Sequence, residues 1–345
     1  MTRSSEATEA ARAHHAIKDK VSVYQHSSAG RSIWQVADSL IPYAVCWGLA
    51  YWAMQYSYWL ALPAILLAAG FMVRIFIIFH DCGHGSFFSS SKANDIIGFI
   101  TGILTFTPYN YWKANHARHH ATSGNLDKRG WGDVWMMTVD EYNQSPPKER
   151  LQYRLYRNPL VMLGLGPLFI LLISHRFVLR KATLTQRLSV YCTNLGIVVL
   201  AGLLIWLLGF KAYLALQLPI LFIGLAAGVW LFYVQHQFDG VYWKRSKDWD
   251  FDSASLEGGS YYALPPVLRF FTGNIGFHHV HHLNPRIPNY NLPKCQKKIP
   301  ELEAAPTIHV WSSLKSLTFR LWDEDGNRLI SFGQLKRMRL HPQAK

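Results

Sequence analysis

A chain of 345 residues, half of them apolar and only 16% charged, lies well below the roughly 25% charge of a soluble domain. That balance argues against a pair of ordinary soluble domains and favours one large membrane-embedded one. The formal net charge of +14 then reads as Lys and Arg retained on the cytoplasmic side of a bilayer, with no nucleic acid as partner.

Residues 1–32 are polar, with Glu6, Glu9, Arg12 and Lys18 ahead of any apolar run. They lack the apolar core and cleavage site of a signal peptide and are expected to form a cytoplasmic segment. Crossing ~30 Å of hydrocarbon takes about 20 mainly apolar residues. Four stretches qualify, at about 33–54, 59–79, 188–210 and 212–234. Paired as two helical hairpins they leave short outer loops: Gln55 to Tyr58 carries no charge, and Gly209 to Ala212 carries only Lys211. Almost every other Lys and Arg falls on the opposite side, which places both termini and the long loops in the cytoplasm. Arg74, inside a span, is expected to snorkel towards its end. Ile96 to Thr107 is too short to cross, and Leu160 to Ile173 is interrupted by Gly164, Gly166 and Pro167. Both read as interfacial or re-entrant pieces. Leu317 to Phe332 reads as a β-hairpin around the turn-forming run Asp323 to Asn327. Residues 33–335 thus form the membrane domain and 336–345 a tail. The scattered cysteines, Cys46, Cys82, Cys192 and Cys295, argue against a disulfide framework or a zinc ribbon.

The 16 histidines are not scattered. His80 and His84 form an H-x-x-x-H box. His116, His119 and His120 form H-x-x-H-H, and His278, His281 and His282 form it again with His279 inside. Chance would supply H-x-x-H-H about 0.03 times in such a chain, so two copies are significant. Residues i, i+3 and i+4 share a helical face, so each box should present converging imidazoles. Imidazole suits iron, zinc, copper and nickel alike. Eight rings are too many for one ion and suit two. His80 ends the second span and His236 ends the fourth, so both spans deliver a histidine to the cytoplasmic surface, and His236 becomes a ninth candidate. His279 is about 100° off the shared face and reads as supporting. Asp81, Asp127 and Asp239, close to the boxes in sequence, are candidates to orient ligand rings. His14, His15, His26, His175, His309 and His341 read as ordinary histidines.

With these boxes, their order and their spacing, the sequence resembles the membrane-bound fatty acid desaturases. The likeness extends through His80 to Phe88, Asn115 to Thr122 and Gly276 to Tyr290, and includes Asn125 to Gly130 and Ser316 to Asp323. It is strongest towards acyl-lipid enzymes of the bacterial delta-5 or delta-12/omega-6 type. The resemblance implies an all-α integral membrane protein, with four transmembrane helices in two hairpins and a cytoplasmic helical cap holding a histidine-rich dimetal site. It implies two iron ions held by His80, His84, His116, His119, His120, His236, His278, His281 and His282, with O2 as co-substrate and a membrane-lipid acyl chain as substrate. Phe232 departs from the acyl-CoA branch, which has Asn four residues before the ninth histidine; that disfavours an acyl-CoA carrier.

Abstracting hydrogen from an unactivated methylene needs an oxidant made at a metal, so the chemistry belongs to the cofactor while the protein positions the chain. Tyr109, Tyr111, Trp112, Trp131 and Trp135 are candidate tunnel aromatics, with interfacial packing the plainer reading. No dinucleotide fingerprint, P-loop, iron–sulfur cysteine cluster or fused haem domain is present. Electrons are therefore expected from a separate protein, which the resemblance implies is ferredoxin-like, or else a flavodoxin or cytochrome b5. Arg176, Arg180, Lys181 and Arg187, or Lys294, Lys297 and Lys298, could receive it, though anionic headgroups are the plainer partner for such runs. The expected location is a bacterial inner membrane, with the metal site facing the cytoplasm. A di-iron hydroxylase or ketolase is the nearest rival. A zinc hydrolase, a metal transporter or a non-catalytic lipid binder lies further off, because a transporter should carry its ligands inside the spans.

Overall fold

The computed structural model describes residues 17–130, 133–178 and 181–340. His14, His15, Trp131, Arg180 and His341 lie outside the described residues.

The architecture is nearly all helical. Helix α1 (Ala29–Met54) is opened by Ser28, whose hydroxyl accepts from the Arg31 amide. After a short connection the chain returns as α2 (Tyr58–His84), which ends at Gly85 with φ +67°. Glycine takes that left-handed conformation without the clash a Cβ would cause. Two 14-residue helices follow, α3 (Ser91–Leu104) and α4 (Tyr109–Thr122). Pro147–Tyr156 and Val161–Ser174 then form a pair bent by 66°. The chain continues into α5 (Leu184–Leu208) and α6 (Phe210–His236). The short helix α7 (His278–Leu283) carries the third histidine box.

Three of the described helices, α2, α5 and α6, are long and apolar enough to cross a membrane by length and composition. α1 has spanning length, but Gln35, Asp38 and Ser39 in its first half, and its many Trp and Tyr residues, lower its hydropathy. The region read as re-entrant, Leu160 to Ile173, is helical and is the second arm of the bent pair. Ile96 to Thr107 is covered mainly by α3, too short to cross.

The core joins α1, α2 and α6 around Trp47, Ala50, Ala61, Ile65, Ala68, Leu216 and Ile220. Small side chains such as Ala50, Ala61 and Ala68, fully buried, let helix backbones approach closely, as helices in lipid require. Arg74 does not snorkel. It is 8% exposed and pairs with Asp38 of α1 through Nη2–Oδ2 at 3.1 Å, and its Nε donates to Ser39 Oγ at 3.1 Å. A charge inside an apolar bundle is tolerable only when so paired.

Beyond the long helices the described residues form two small sheets. β1 (Met137–Thr138) runs parallel to β4 (Leu321–Asp323), which pairs antiparallel with β5 (Arg328–Ile330). β2 (Tyr261–Ala263) runs parallel to β3 (Thr307–His309). The expected C-terminal hairpin is therefore present as β4 and β5, in register Leu321 to Ile330 and Asp323 to Arg328. Its turn includes Asn327 at φ +46°, a conformation Asn tolerates better than most residues. Phe332, at the far end of the expected hairpin, already opens the helix Phe332–Leu340.

Candidate metal centre

Four helices converge on one buried volume. α2 supplies His80 and His84 from its last turns, and α4 supplies His116, His119 and His120. α6 supplies its last residue, His236, and α7 supplies His278, His281 and His282. Tyr109 braces the first two helices: its hydroxyl donates to Cys82 O at 2.7 Å. Trp112 adds a wall, stacking on the His116 ring at 4.3 Å.

The imidazoles sort into two groups. In one, nitrogens of His80, His84, His116, His120 and His281 lie within 4.8 Å of one another; in the other, those of His119, His236 and His282 do. His278 joins the second, its Nε2 2.9 Å from His236 Nε2 and 3.1 Å from His282 Nε2. The groups adjoin, because the rings of His120 and His282 stack at 4.2 Å. Each H-x-x-H-H box is thus divided. From α4, His116 and His120 enter the first group and His119 the second; from α7, His278 and His282 enter the second and His281 the first. Grouping all three rings of a box on one face was too coarse. Positions i+3 and i+4 are about 100° apart around the axis, enough to address two centres.

The nitrogen geometry fits cations. His116 Nε2 lies 3.1 Å from both His80 Nε2 and His120 Nε2, and His120 Nε2 lies 3.1 Å from His281 Nε2. His236 Nε2 faces both His119 Nε2 at 3.2 Å and His278 Nε2 at 2.9 Å. A ring nitrogen carries either one proton or one lone pair in its plane, so it cannot hydrogen-bond two neighbours at once. Lone pairs facing a common point are what a cation needs. Metal–nitrogen bonds of about 2.1 Å at right angles would set neighbouring nitrogens about 3.0 Å apart. His84 Nε2 is buried without a hydrogen-bond partner, an orphan that a metal would satisfy. Three outer nitrogens set the tautomer. His80 Nδ1 donates to Asp81 Oδ1 at 3.1 Å, His119 Nδ1 to Asp133 Oδ1 at 2.6 Å, and His236 Nδ1 to Gly258 O at 3.1 Å. Each such bond leaves Nε2 unprotonated and aimed inward.

Burial, and next the neighbouring imidazoles, hold His116, His120, His281 and His282 well below the ordinary histidine value. The same causes act on His278, with His236 the leading neighbour. Neutral rings are the form in which histidine binds metal.

Of the supporting residues expected from sequence, Asp81 is at the centre. His279 is buried beside it but turned away, with Nε2 donating to Gln296 Oε1 at 2.7 Å, and burial pushes it down to about 4. Asp127 and Asp239 are surface acids. Asp127 pairs with Arg245 at 2.9 Å, and Asp239 pairs with Lys315. Asp133 was missed: it lies 14 residues beyond His119 in a loop, and only folding brings it to the ring. Phe232 packs one turn before His236, 5.0 Å from the His119 ring and 5.1 Å from the His236 ring. Of the expected tunnel aromatics, Trp112 touches the centre through the His80 and His116 rings, while Tyr109 packs on Phe79. Trp135 instead packs on Tyr153 and Tyr156.

Comparison with known proteins agrees with this arrangement. A model of the family described as fatty acid desaturase matches residues 56–313. A fatty acid desaturase of Bacillus subtilis (strain 168) is 46% identical over 92% of this chain and 90% of its own length. An sn-1 oleoyl-lipid 12-desaturase of Synechocystis is 26% identical, with 84% of each chain covered. An sn-1 acyl-lipid omega-3 desaturase (ferredoxin) of the same organism is 29% identical over 70% of this chain and 68% of its own. With a histidine-rich metal site built from four helices, and a family match over most of its length, the chain belongs to the fatty acid desaturases and is an oxidoreductase.

Proposed function

We propose that the chain is an oxygen-dependent acyl-lipid desaturase that introduces a cis double bond into the acyl chain of a membrane glycerolipid. The observation that carries this reading is the pair of adjoining imidazole groups whose ring nitrogens face one another. His80, His84, His116, His120 and His281 would hold one iron, and His119, His236, His278 and His282 the other. A di-iron centre, when bound, supplies the dioxygen-derived oxidising power that removes two hydrogens from neighbouring methylenes. The protein's own part is to fix the tautomers of His80, His119 and His236 through Asp81, Asp133 and Gly258, and to bury the centre. Buried carboxylates beside His80 and His119 offset the cationic charge nine neutral ligands would leave. The lipid-linked substrate is favoured by the names of the two Synechocystis relatives and by Phe232.

The same reading makes α1 the first of four spans, paired with α2 as α5 is with α6. It places the histidines, both termini and the small sheets in the cytoplasm, where a ferredoxin-like donor would deliver electrons. One Synechocystis relative carries ferredoxin in its name. Expression in a bacterial host lacking the product, followed by mass spectrometry with double-bond localisation, tests the assignment. New cis alkenes that need oxygen are expected. Hydroxy or keto products without alkenes would transfer the chain to the hydroxylases. Full activity without oxygen, with zinc in the site, would make it a hydrolase.

A further inference from the structure

The Asn289–Tyr290 motif just beyond the third histidine box has no ligand role, yet it is closely tied to the centre. We propose that Asp81 is a positioning residue, and that Asn289, held in place by helix α1, sets the orientation of His80 through it. The inference rests on the two-metal reading above and concerns how one of the two groups is assembled.

Asp81 is 2% exposed and its two oxygens serve different parts of the chain. Oδ1 accepts from His80 Nδ1 at 3.1 Å, while Oδ2 accepts from the backbone N and side-chain Nδ2 of Asn289 at 2.7 and 2.8 Å. A buried carboxylate survives only with such donors, and three N–H groups converge on this one. Asn289 cannot turn its amide over, because its Oδ1 accepts from Gln35 Nε2 of α1 at 3.0 Å. The next two residues are fastened to the same face of α1. The Ser28 amide donates to Tyr290 OH at 2.8 Å, and the Arg31 guanidinium donates to Tyr290 O at 2.6 Å and to Asn291 Oδ1 at 2.7 Å. Arg31 also lies over the Tyr290 ring at 4.3 Å.

The result is a hydrogen-bonded series from Gln35 through Asn289 and Asp81 to His80. It clamps the segment after the third box onto the first box. Rotation of the Asp81 carboxylate would release the His80 ring, whose Nε2 faces His116 Nε2 at 3.1 Å. Only the five-histidine group contains His80. The four-histidine group has its own carboxylate, Asp133 on His119. Loss of the series should therefore weaken one metal position and spare the other.

Anaerobic titration of ferrous ion into the purified, metal-free, full-length protein reads this without turnover. Wild type is expected to take up about two ions per chain. Asn289→Ala and Asp81→Asn should each weaken one binding step by about 10- to 100-fold and leave the other unchanged. The exchanged pair Asp81→Asn with Asn289→Asp restores a hydrogen bond between the two positions and should recover part of the lost affinity. Asp239→Asn, on the surface, should titrate as wild type. If Asn289→Ala does not fold, as judged by thermal unfolding of the metal-free protein, Gln35→Leu removes only the amide lock and should weaken the same step several-fold. Two unweakened steps in these variants, or two steps weakened alike, would overturn the proposal. A wild type taking up a single ion would refute the two-metal reading instead, and the proposal would then stand or fall on whether Asn289→Ala weakens that one step.

Discussion

The five-histidine group and the four-histidine group use the same ring chemistry in unequal surroundings. The first has the Trp112 ring stacked on His116 and two half-buried members, His84 and His116, and it contains the one histidine pair supplied by α2. The second has one imidazole fewer and lies beside a cavity of about 10 Å³ lined by Asp133, Phe232, His236 and Gln237 among others. That is space for roughly one water molecule. Each group has a single imidazole paired with a carboxylate among the described residues, His80 with Asp81 and His119 with Asp133. The carboxylates differ in what holds them. Asp81 is locked by Asn289, whereas Asp133 belongs to the loop after α4 and borders the cavity. The group with fewer protein ligands thus has a small cavity at its edge.

Neighbouring histidines give the sharpest way to break this comparison. His119 and His120 are adjacent in sequence but belong to different groups. His119→Ala and His120→Ala should both abolish detectable unsaturated product in the expression host. Their metal titrations should differ, the first losing the four-histidine step and the second the five-histidine step. Identical titrations would show that the division into two groups is wrong. Next in size is Asp133→Asn, which keeps the side-chain shape while removing the charge facing His119 Nδ1. Metal affinity at the four-histidine position should fall about 10- to 100-fold, with the other step unchanged.

Acid should act on both groups together. His116, His120, His278, His281 and His282 are held well below the ordinary value of 6.5, burial being the largest cause. In the metal-free protein they stay neutral while the unfolded chain begins to take up protons near 6.5. The unfolded state then binds more protons, so stability must fall as pH drops through that value. His279, pushed down from 6.5 to about 4 by burial, adds a contribution lost progressively across that window. The melting temperature of metal-free protein should therefore decline from about pH 7 to about pH 5. A flat profile would mean the rings are not buried neutral.

The boxes, the helices bearing them and the C-terminal hairpin were legible in sequence because their signals are local: i, i+3, i+4 spacing, apolar length and turn residues. What escaped was carried by contacts between distant segments. Nearness in sequence picks out Asp81, but the same rule selects Asp127 and Asp239, which fold outward onto Arg245 and Lys315, and it passes over Asp133. The partner of Arg74 was hidden for the same reason. Asp38 lies 36 positions earlier, on the neighbouring helix, and an acid inside an apolar stretch was the signal available. The split of each H-x-x-H-H box between two groups was concealed in the 100° separating adjacent residues.

The smallest expected effects test the comparison from outside the centre. Asp127 and Asp239 each follow a box or the ninth histidine within a few residues, so sequence proximity gives them the same standing as Asp81. Their side chains instead make exposed ion pairs, which contribute little to stability. Asp127→Asn and Asp239→Asn should leave product yield and both metal-binding steps at wild-type level, and shift the melting temperature hardly at all. A fall in metal uptake by either variant would place its carboxylate at the centre in the working enzyme. The claim that one buried acid serves each histidine group would then fail.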